Sequence, residues 1–239
     1  MTETTLQLYG YWRSMATYRV RVALALKGIP VHEIPINLGT DEQLTPAFLG
    51  INPEGAVPAL IEPGQPPITQ SIAILEYLDE RYPEPPLLPK DLRARARVRS
   101  LAALIASDTH PMIAPRVRKY LTTRAAFDDV DWRDWTTHWL TRGLKAMEAR
   151  IAGDPHTGIF CHGDQVTLAD ICLASLIVVA KMFSYEVTDI PTLKRIVVRC
   201  EELGAFARAN PKRQAGATSP SGRAVHTSVC SPGDGESKA

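Results

Sequence analysis

An α/β unit followed by an all-α unit is the fold class that the sequence predicts, and three observations support this prediction. Short strand-like runs alternate with helical ones over residues 4–83. A segment with four prolines in ten residues, YPEPPLLPKD, then interrupts every regular pattern. Beyond it, over residues 92–210, the apolar residues recur at the spacing of helices.

The first unit begins with a β-α-β pattern. Leu6 and Leu8 belong to a short strand-like run, and residues 16–27 carry the helical apolar period up to Gly28, a favourable C-cap. The run HEIPIN at residues 32–37 predicts a second strand. Because a helical crossover joins the two strands, we expect them to be parallel.

A hairpin and a helix complete this unit. The runs VPALI at residues 57–61 and PIT at residues 67–69 flank a turn that contains Gly64. A helix then begins at Ser71 and ends at Pro83, which cannot continue it. The unit is therefore expected to contain a mixed four-stranded sheet.

The second unit is predicted to be helical throughout. Its helical runs cover residues 93–120, interrupted by Pro111 and Pro115, and then residues 132–151, 167–183, 191–202 and 203–210. The sequence TLAD, at the start of the most apolar run, predicts a capping box between Thr167 and Asp170. Residues 211–239 are small and polar, which predicts a disordered tail.

Composition excludes several classes of function. The chain has 27 Lys and Arg against 26 Asp and Glu, so no overall charge favours nucleic acid or a membrane surface as a partner. The start of the chain lacks a signal-peptide pattern, which predicts a cytoplasmic location. The four cysteines are widely spaced without a histidine cluster, so neither a metal site nor a disulfide framework is expected.

Five separated motifs carry a resemblance to a known family. The stretch YWRSMATYRVRVAL resembles the active-site signature of zeta-class glutathione transferases, which include maleylacetoacetate and maleylpyruvate isomerases. The motifs NPEGAVPAL, QSIAILEYL and TLAD occur in the family's order, as does ASDTHP. The resemblance implies a thioredoxin-like N-terminal domain, an all-helical substrate domain, glutathione as cofactor and a homodimer.

The resemblance also implies a glutathione site. Val57 and Pro58 match a cis Val-Pro pair whose valine backbone binds glutathione, although an edge-strand proline in trans is the alternative. Gln70 and Ser71 match the pair that holds the γ-glutamyl end, although Ser71 is equally suited to be a helix N-cap. Gln43 matches a residue near the glycine end.

Ser14 is the predicted catalytic residue. It follows the first strand and begins the first helix, where a hydroxyl donating to sulfur and the helix dipole both favour a thiolate. A hydrogen bond to a charged group contributes about 1.5–3 kcal/mol, enough to lower the pKa of a thiol by about one to two units. The alternative is a purely structural N-cap.

Three basic residues complete the predicted site. The implied reaction adds the thiolate to a cis double bond, permits rotation and eliminates the trans product, and maleyl substrates are dianions that arginines bind well. Arg13 and Arg116 match family arginines, and His110 matches a residue that contacts glutathione. Arg19 and Arg21 are predicted to face solvent or a dimer contact.

The chain departs from the family pattern at three positions. Met15 and Ala16 replace a common serine and a common cysteine, and Met182 replaces an arginine that holds the substrate's carboxylate. Three hypotheses follow. They are a glutathione-dependent isomerase of maleyl-type dicarboxylates, a transferase that conjugates or dehalogenates small electrophiles, and a glutathione-binding protein without turnover.

Overall fold

A computed structural model describes residues 5–217 of the chain. Four strands form one sheet, in the order β2-β1-β3-β4, where β1 is Leu6–Gly10, β2 is Val31–Pro35, β3 is Ala59–Ile61 and β4 is Ile68–Thr69. β1 runs parallel to β2, with Leu8 opposite Glu33, and antiparallel to β3, with Leu8 opposite Leu60. β3 is antiparallel to β4. The prediction of a mixed four-stranded sheet is confirmed.

Helices make up most of the rest. They are α1 (Met15–Leu26), α2 (Pro46–Leu49), α3 (Ser71–Arg81), α4 (Leu92–Ala103), α5 (Pro115–Arg124), α6 (Asp129–Ile151), α7 (Leu168–Met182), α8 (Pro191–Glu202) and α9 (Gly204–Ala209). α6 begins three residues earlier than the apolar period predicts, because Asp128 and Asp131 form a capping box there.

One hydrophobic core joins the sheet unit to the helical unit. α1 packs against α3 within its own unit and against α7 and α9 of the helical unit. Leu8, Val20 and Leu75 from the first unit are buried in the same cluster as Leu101 and Ile171 from the second. The two units therefore pack against each other around a shared core.

The capping box predicted at the start of α7 is present. Asp170 is fully buried and accepts hydrogen bonds from the backbone N–H and the hydroxyl of Thr167, at 2.8 and 2.7 Å. It also accepts one from the Cys161 backbone N–H at 2.7 Å, which fixes the preceding loop to the helix.

Both predicted proline interruptions occur. After α4 the chain forms a π-helical segment, Leu104–Thr109, and a 3-10 segment, His110–Ile113, before Pro115 begins α5. π-helical segments are rare and often lie at functional sites. Here the π-helical segment ends at Thr109, directly before His110, which lies at the cleft between the two units.

Gly143 of α6 allows close packing against this π-helical segment. A Cβ at this position would overlap the Oγ1 of Thr109. Gly143→Ala is expected to lower the free energy of unfolding by about 1–3 kcal/mol through overpacking. Chemical denaturation checks this, and Thr109→Ala added to Gly143→Ala should recover part of the loss because it removes the overlapping atoms. No recovery in the double variant would contradict the packing explanation.

Two expectations require correction. Arg19 and Arg21 do not face solvent: Arg19 is 1% exposed and Arg21 is 7% exposed. Arg21 is held by an ion pair with Glu33 of β2 and donates to the Trp12 carbonyl at 3.1 Å. Both arginines can be buried in an apolar helix because polar groups on neighbouring elements meet their guanidinium groups.

The region predicted as a tail starts with local structure. Pro211–Arg213 form a 3-10 turn, and Pro211 is buried. The remainder of the predicted tail, residues 218–239, lies outside the described residues, as does Cys230. Cys161, Cys172 and Cys200 are free and buried, as expected of structural thiols. Between residues 5 and 217, no helix is long and apolar enough to cross a membrane.

Candidate active site

A cavity of about 730 Å³ lies in the cleft between the sheet unit and the helical unit. Eight of the nine predicted site residues line it: Ser14, Gln43, Val57, Pro58, Gln70, Ser71, His110 and Arg116. Arg13 does not line it. The cavity therefore brings together residues that are more than a hundred positions apart in the chain.

Ser14 lies at the cavity wall as the N-cap of α1. Its Oγ accepts a hydrogen bond from the Thr17 backbone N–H at 3.2 Å. Accepting this bond leaves the hydroxyl hydrogen free, so Ser14 can donate to an acceptor in the cavity. The capping interpretation and the predicted catalytic role are thus compatible.

The Val57–Pro58 peptide bond is cis, so this prediction is confirmed. Val57 lies two residues before the start of the short β3, and no backbone hydrogen bond joins it to another residue of the described chain. An extended ligand can pair with such a free backbone segment as an added strand.

Gln70 and Ser71 form the start of α3. Gln70 is the N-cap, with φ 66°, and its Nε2 donates to Glu54 at 2.7 Å. Ser71 is the first helical residue, so the interpretation of Ser71 as the N-cap is wrong. Its Oγ instead accepts a hydrogen bond from Nη1 of Arg19 at 3.2 Å. Both side chains and the helix N-terminus face the cavity.

The mouth of the cavity is bridged by an ion pair between the two units. Lys119 of α5 donates to Asp41, in the loop after β2, at 2.6 Å. This bond holds the pKa of Asp41 below its usual value. Gln43 lies beside the pair, and its buried Oε1 has no partner among the described residues. An unpaired buried acceptor is costly, which indicates a position for a ligand donor.

His110 and Arg116 form the helical side of the cavity. Burial is the main reason that the pKa of His110 lies well below its usual value, and the charges of Arg19 and Arg116 lower it further. The imidazole is therefore neutral at physiological pH, and its nitrogens are one donor and one acceptor. No ion pair neutralises Arg116 among residues 5–217.

The low pKa of His110 predicts a pH-dependent stability. In the unfolded chain the imidazole takes up a proton below about pH 6.5, whereas the folded protein resists protonation. The unfolded state thus binds more protons at low pH, and stability is expected to fall as the pH drops below about 6.5. Urea denaturation at several pH values measures this slope. His110→Gln should reduce the slope of stability against pH, whereas His138→Gln, at an exposed position, should not. Equal slopes in the two variants would show that His110 is not the source of the pH dependence.

Arg13 lies outside the cavity lining. Its guanidinium carbon is 5.5 Å from the ring centroid of Tyr11, 5.6 Å from that of Trp12 and 5.8 Å from that of Phe183. The rings hold it beside Ser14 by cation-π contacts. Its role toward substrate stays a prediction.

The residues that sequence reasoning missed are Arg19 and Lys119, both of which line the cavity. Arg19 lies within a nearly continuous apolar run, YRVRVALAL, and a charge in such a run is a signal of burial that the helical period alone does not convey. Lys119 has no comparable signal, because its partner is 78 positions away.

The chain is similar to proteins of one known family. Residues 4–80 match the family described as glutathione S-transferase, N-terminal domain. A maleylpyruvate isomerase of Ralstonia is 40% identical over 209 residues, which are 87% of this chain and 98% of that protein.

Two solved structures are similar over nearly the whole described fold. The maleylacetoacetate isomerase of Methylobacterium extorquens AM1, with bound malonate and GSH, has a TM-score of 0.86 and 47% identity, covering 88% of this chain and 99% of that one. A bacterial maleylpyruvate isomerase, described as a zeta-class glutathione S-transferase, has a TM-score of 0.85 and 39% identity, with the same two coverages.

Proposed function

Because this chain belongs to the glutathione S-transferase family, in its zeta class with the maleylacetoacetate and maleylpyruvate isomerases, we propose that it is a glutathione-dependent cis-trans isomerase of maleyl-type dicarboxylates in aromatic compound catabolism. One observation carries the proposal. Ser14, at the N-terminus of α1, accepts a hydrogen bond and keeps its hydroxyl hydrogen free to donate, and it lines the same cavity as Arg116, which has no ion pair within residues 5–217.

The residues of the cavity fit glutathione. This peptide has two carboxylates, an amine and amide groups, and the cavity wall contains a buried unpaired donor, Nη2 of Arg19, and a buried unpaired acceptor, Oε1 of Gln43. We propose that the backbone of Val57 pairs with the backbone of glutathione and that Gln70 and Ser71 hold the γ-glutamyl end. Gln43 and His110 are proposed to contact the remaining part of glutathione.

When bound, glutathione supplies a thiol that adds reversibly, as a thiolate, to the cis double bond of the substrate. Ser14 favours the ionised form of this group by donating a hydrogen bond, and the N-terminus of α1 adds a favourable dipole. Burial in the cleft strengthens both interactions by excluding water.

Arginine binding of a dicarboxylate supports the choice of substrate class. Arg116 has no ion pair within the described part of the chain and lines the cavity, so it is free to bind a carboxylate. The Methylobacterium relative binds malonate, itself a dicarboxylate. Lys181, next to Met182, does not replace the family arginine: it is exposed and paired with Glu201 at 2.6 Å.

Conjugation or dehalogenation of small electrophiles is the second candidate, since the same thiolate serves it. Ala16 lines the cavity at the position where the family commonly has cysteine, so this chain offers no second thiol there. This observation favours isomerisation over a thiol exchange. Binding of glutathione without turnover is a third candidate, against which the free Ser14 hydroxyl argues.

Turnover assays with maleylacetoacetate, maleylpyruvate and dichloroacetate, each with and without glutathione, test the proposal. We expect glutathione-dependent isomerisation of a maleyl substrate. Arg116→Gln should raise KM for that substrate by about tenfold or more, since it removes a charged hydrogen bond. Arg124→Gln is the matched control, because Arg124 also lies exposed on α5 but outside the cavity. Turnover of dichloroacetate alone would favour the second candidate.

A homodimer and a cytoplasmic location are further parts of the proposal, and family membership supports the first of them. Light scattering on the purified protein is expected to give twice the mass of one chain, and cell fractionation is expected to recover the protein with cytoplasmic markers. A monomeric mass would reject the dimer.

A further inference from the structure

Arg19 is a buried cation in the wall of the cavity with no anionic partner. Its side chain comes from α1, five residues after Ser14, and is 1% exposed. Nε donates to Ser175 of α7 at 2.9 Å, and Nη1 donates to Ser71 at 3.2 Å. Nη2 is buried and has no partner, and no carboxylate of residues 5–217 forms an ion pair with Arg19.

Such a charge is unfavourable unless something neutralises it. A buried ion without a counter-ion is strongly unfavourable. The neighbouring Arg21, by contrast, has Glu33 as its partner. Burial lowers the pKa of Arg19, but the pKa of an arginine starts so far above neutrality that the side chain stays charged at neutral pH. The lining of the cavity therefore contains a positive charge that the protein leaves uncompensated.

Ser71 lies between the guanidinium group of Arg19 and the interior of the cavity. Because its oxygen accepts from Arg19, its hydroxyl hydrogen is free to donate into the cavity. Ser71 is also the first residue of α3, whose first turn contains no acidic side chain. The free hydroxyl, the helix N-terminus and the guanidinium together match a carboxylate.

We propose that Arg19 is a positioning residue for glutathione, which orients Ser71 as a donor and provides the charge that selects the α-carboxylate of the γ-glutamyl group. This inference rests on the proposed function, since it takes glutathione as the ligand of the cavity. Arg19 acts through Ser71 and through its charge, so its loss should weaken binding of that carboxylate rather than the chemistry at Ser14.

Isothermal titration with three peptides tests this role in the full chain. Glutathione carries both groups of the γ-glutamyl end, γ-aminobutyryl-Cys-Gly lacks its α-carboxylate, and glutaryl-Cys-Gly lacks its amine. Arg19→Gln should raise Kd for glutathione and glutaryl-Cys-Gly by about tenfold or more and leave Kd for γ-aminobutyryl-Cys-Gly unchanged. Equal effects on all three peptides, or none, would overturn the proposal.

Two further variants separate this role from structural damage. Arg21→Gln, on the same helix and also at a buried position, is expected to lower stability and to change Kd for the three peptides alike. Ser175→Ala removes one hydroxyl and loosens Arg19, so it should show the same dependence on the carboxylate as Arg19→Gln, with a smaller change. If Arg19→Gln does not fold, identical changes for the three peptides in Ser175→Ala reject the proposal.

The wild-type titration distinguishes failure of this inference from failure of the proposed function. Absence of glutathione binding by the wild-type protein would reject the proposed function. Binding by the wild type that Arg19→Gln leaves unaltered would reject only the role of Arg19.

Discussion

Replacement of Ser14 by alanine is expected to raise the pKa of the bound glutathione thiol by about one to two units, because it removes a hydrogen bond to the thiolate. For a thiol whose free pKa is about 8.5, the fraction of thiolate at pH 7 then falls about eightfold to twenty-fivefold, and kcat/KM for the isomerisation falls with it. Ultraviolet difference spectra of the bound thiolate across a pH range measure the pKa directly.

Two controls separate this effect from the loss of a helix cap. Ser14 also caps α1, so alanine is expected to cost about 1 kcal/mol of stability, whereas glycine at an N-cap costs only a few tenths. Ser14→Gly should therefore raise the thiol pKa as much as alanine does with little loss of stability. Asp91→Ala removes a comparable cap from α4, where Asp91 accepts from the Ala94 N–H at 2.8 Å, and should leave the thiol pKa unchanged. An unchanged thiol pKa in Ser14→Ala would reject the catalytic role of Ser14.

Asp170→Ala is expected to have the largest effect on stability, a loss of about 3–5 kcal/mol. The change removes the acceptor of three buried donors, and each unsatisfied donor costs about 1–3 kcal/mol without full additivity. For a chain of this size, each kcal/mol lowers Tm by about 2–4 °C, so thermal denaturation should show a decrease of at least about 6 °C.

Asp131→Ala is the matched control for this prediction. Asp131 holds the same position in the capping box of α6 that Asp170 holds in α7, and it accepts from the Asp128 backbone N–H at 3.1 Å. It is exposed, so water replaces the lost acceptor and the expected cost is only about 0.5–1 kcal/mol. Similar losses of stability in the two variants would show that burial of Asp170 is not the cause.

The capping box of α7 illustrates what a local pattern conveys. The sequence TLAD predicts the reciprocal arrangement of Thr167 and Asp170, because all the atoms involved belong to one turn of helix. The bond from Cys161 to Asp170 was not predicted, since it depends on how a loop folds back onto the helix. That third bond contributes to the large effect expected of Asp170→Ala.

Some features of the candidate site were likewise predicted from the sequence, and others depend on the tertiary structure. Ser14, Gln70 and Ser71 lie where a strand or loop gives way to a helix, and the local pattern predicted this place in the fold. Their roles in the site, like the cis bond before Pro58, followed from the family resemblance. Arg13 was predicted beside Ser14 and is there, but aromatic rings from separate parts of the chain keep it out of the cavity lining.

By itself, the sequence determined the order of the two units, the mixed sheet, most helix limits and the serine that begins α1, because local spacing and backbone chemistry set these features. Only the tertiary structure decided which charges are buried and which face the cavity. Arg19 and Arg21 are two positions apart on one helix, yet β2 provides a carboxylate for Arg21 while α3 and α7 provide only hydroxyls for Arg19. The partners of a side chain come from elements distant in sequence, and no local pattern specifies them.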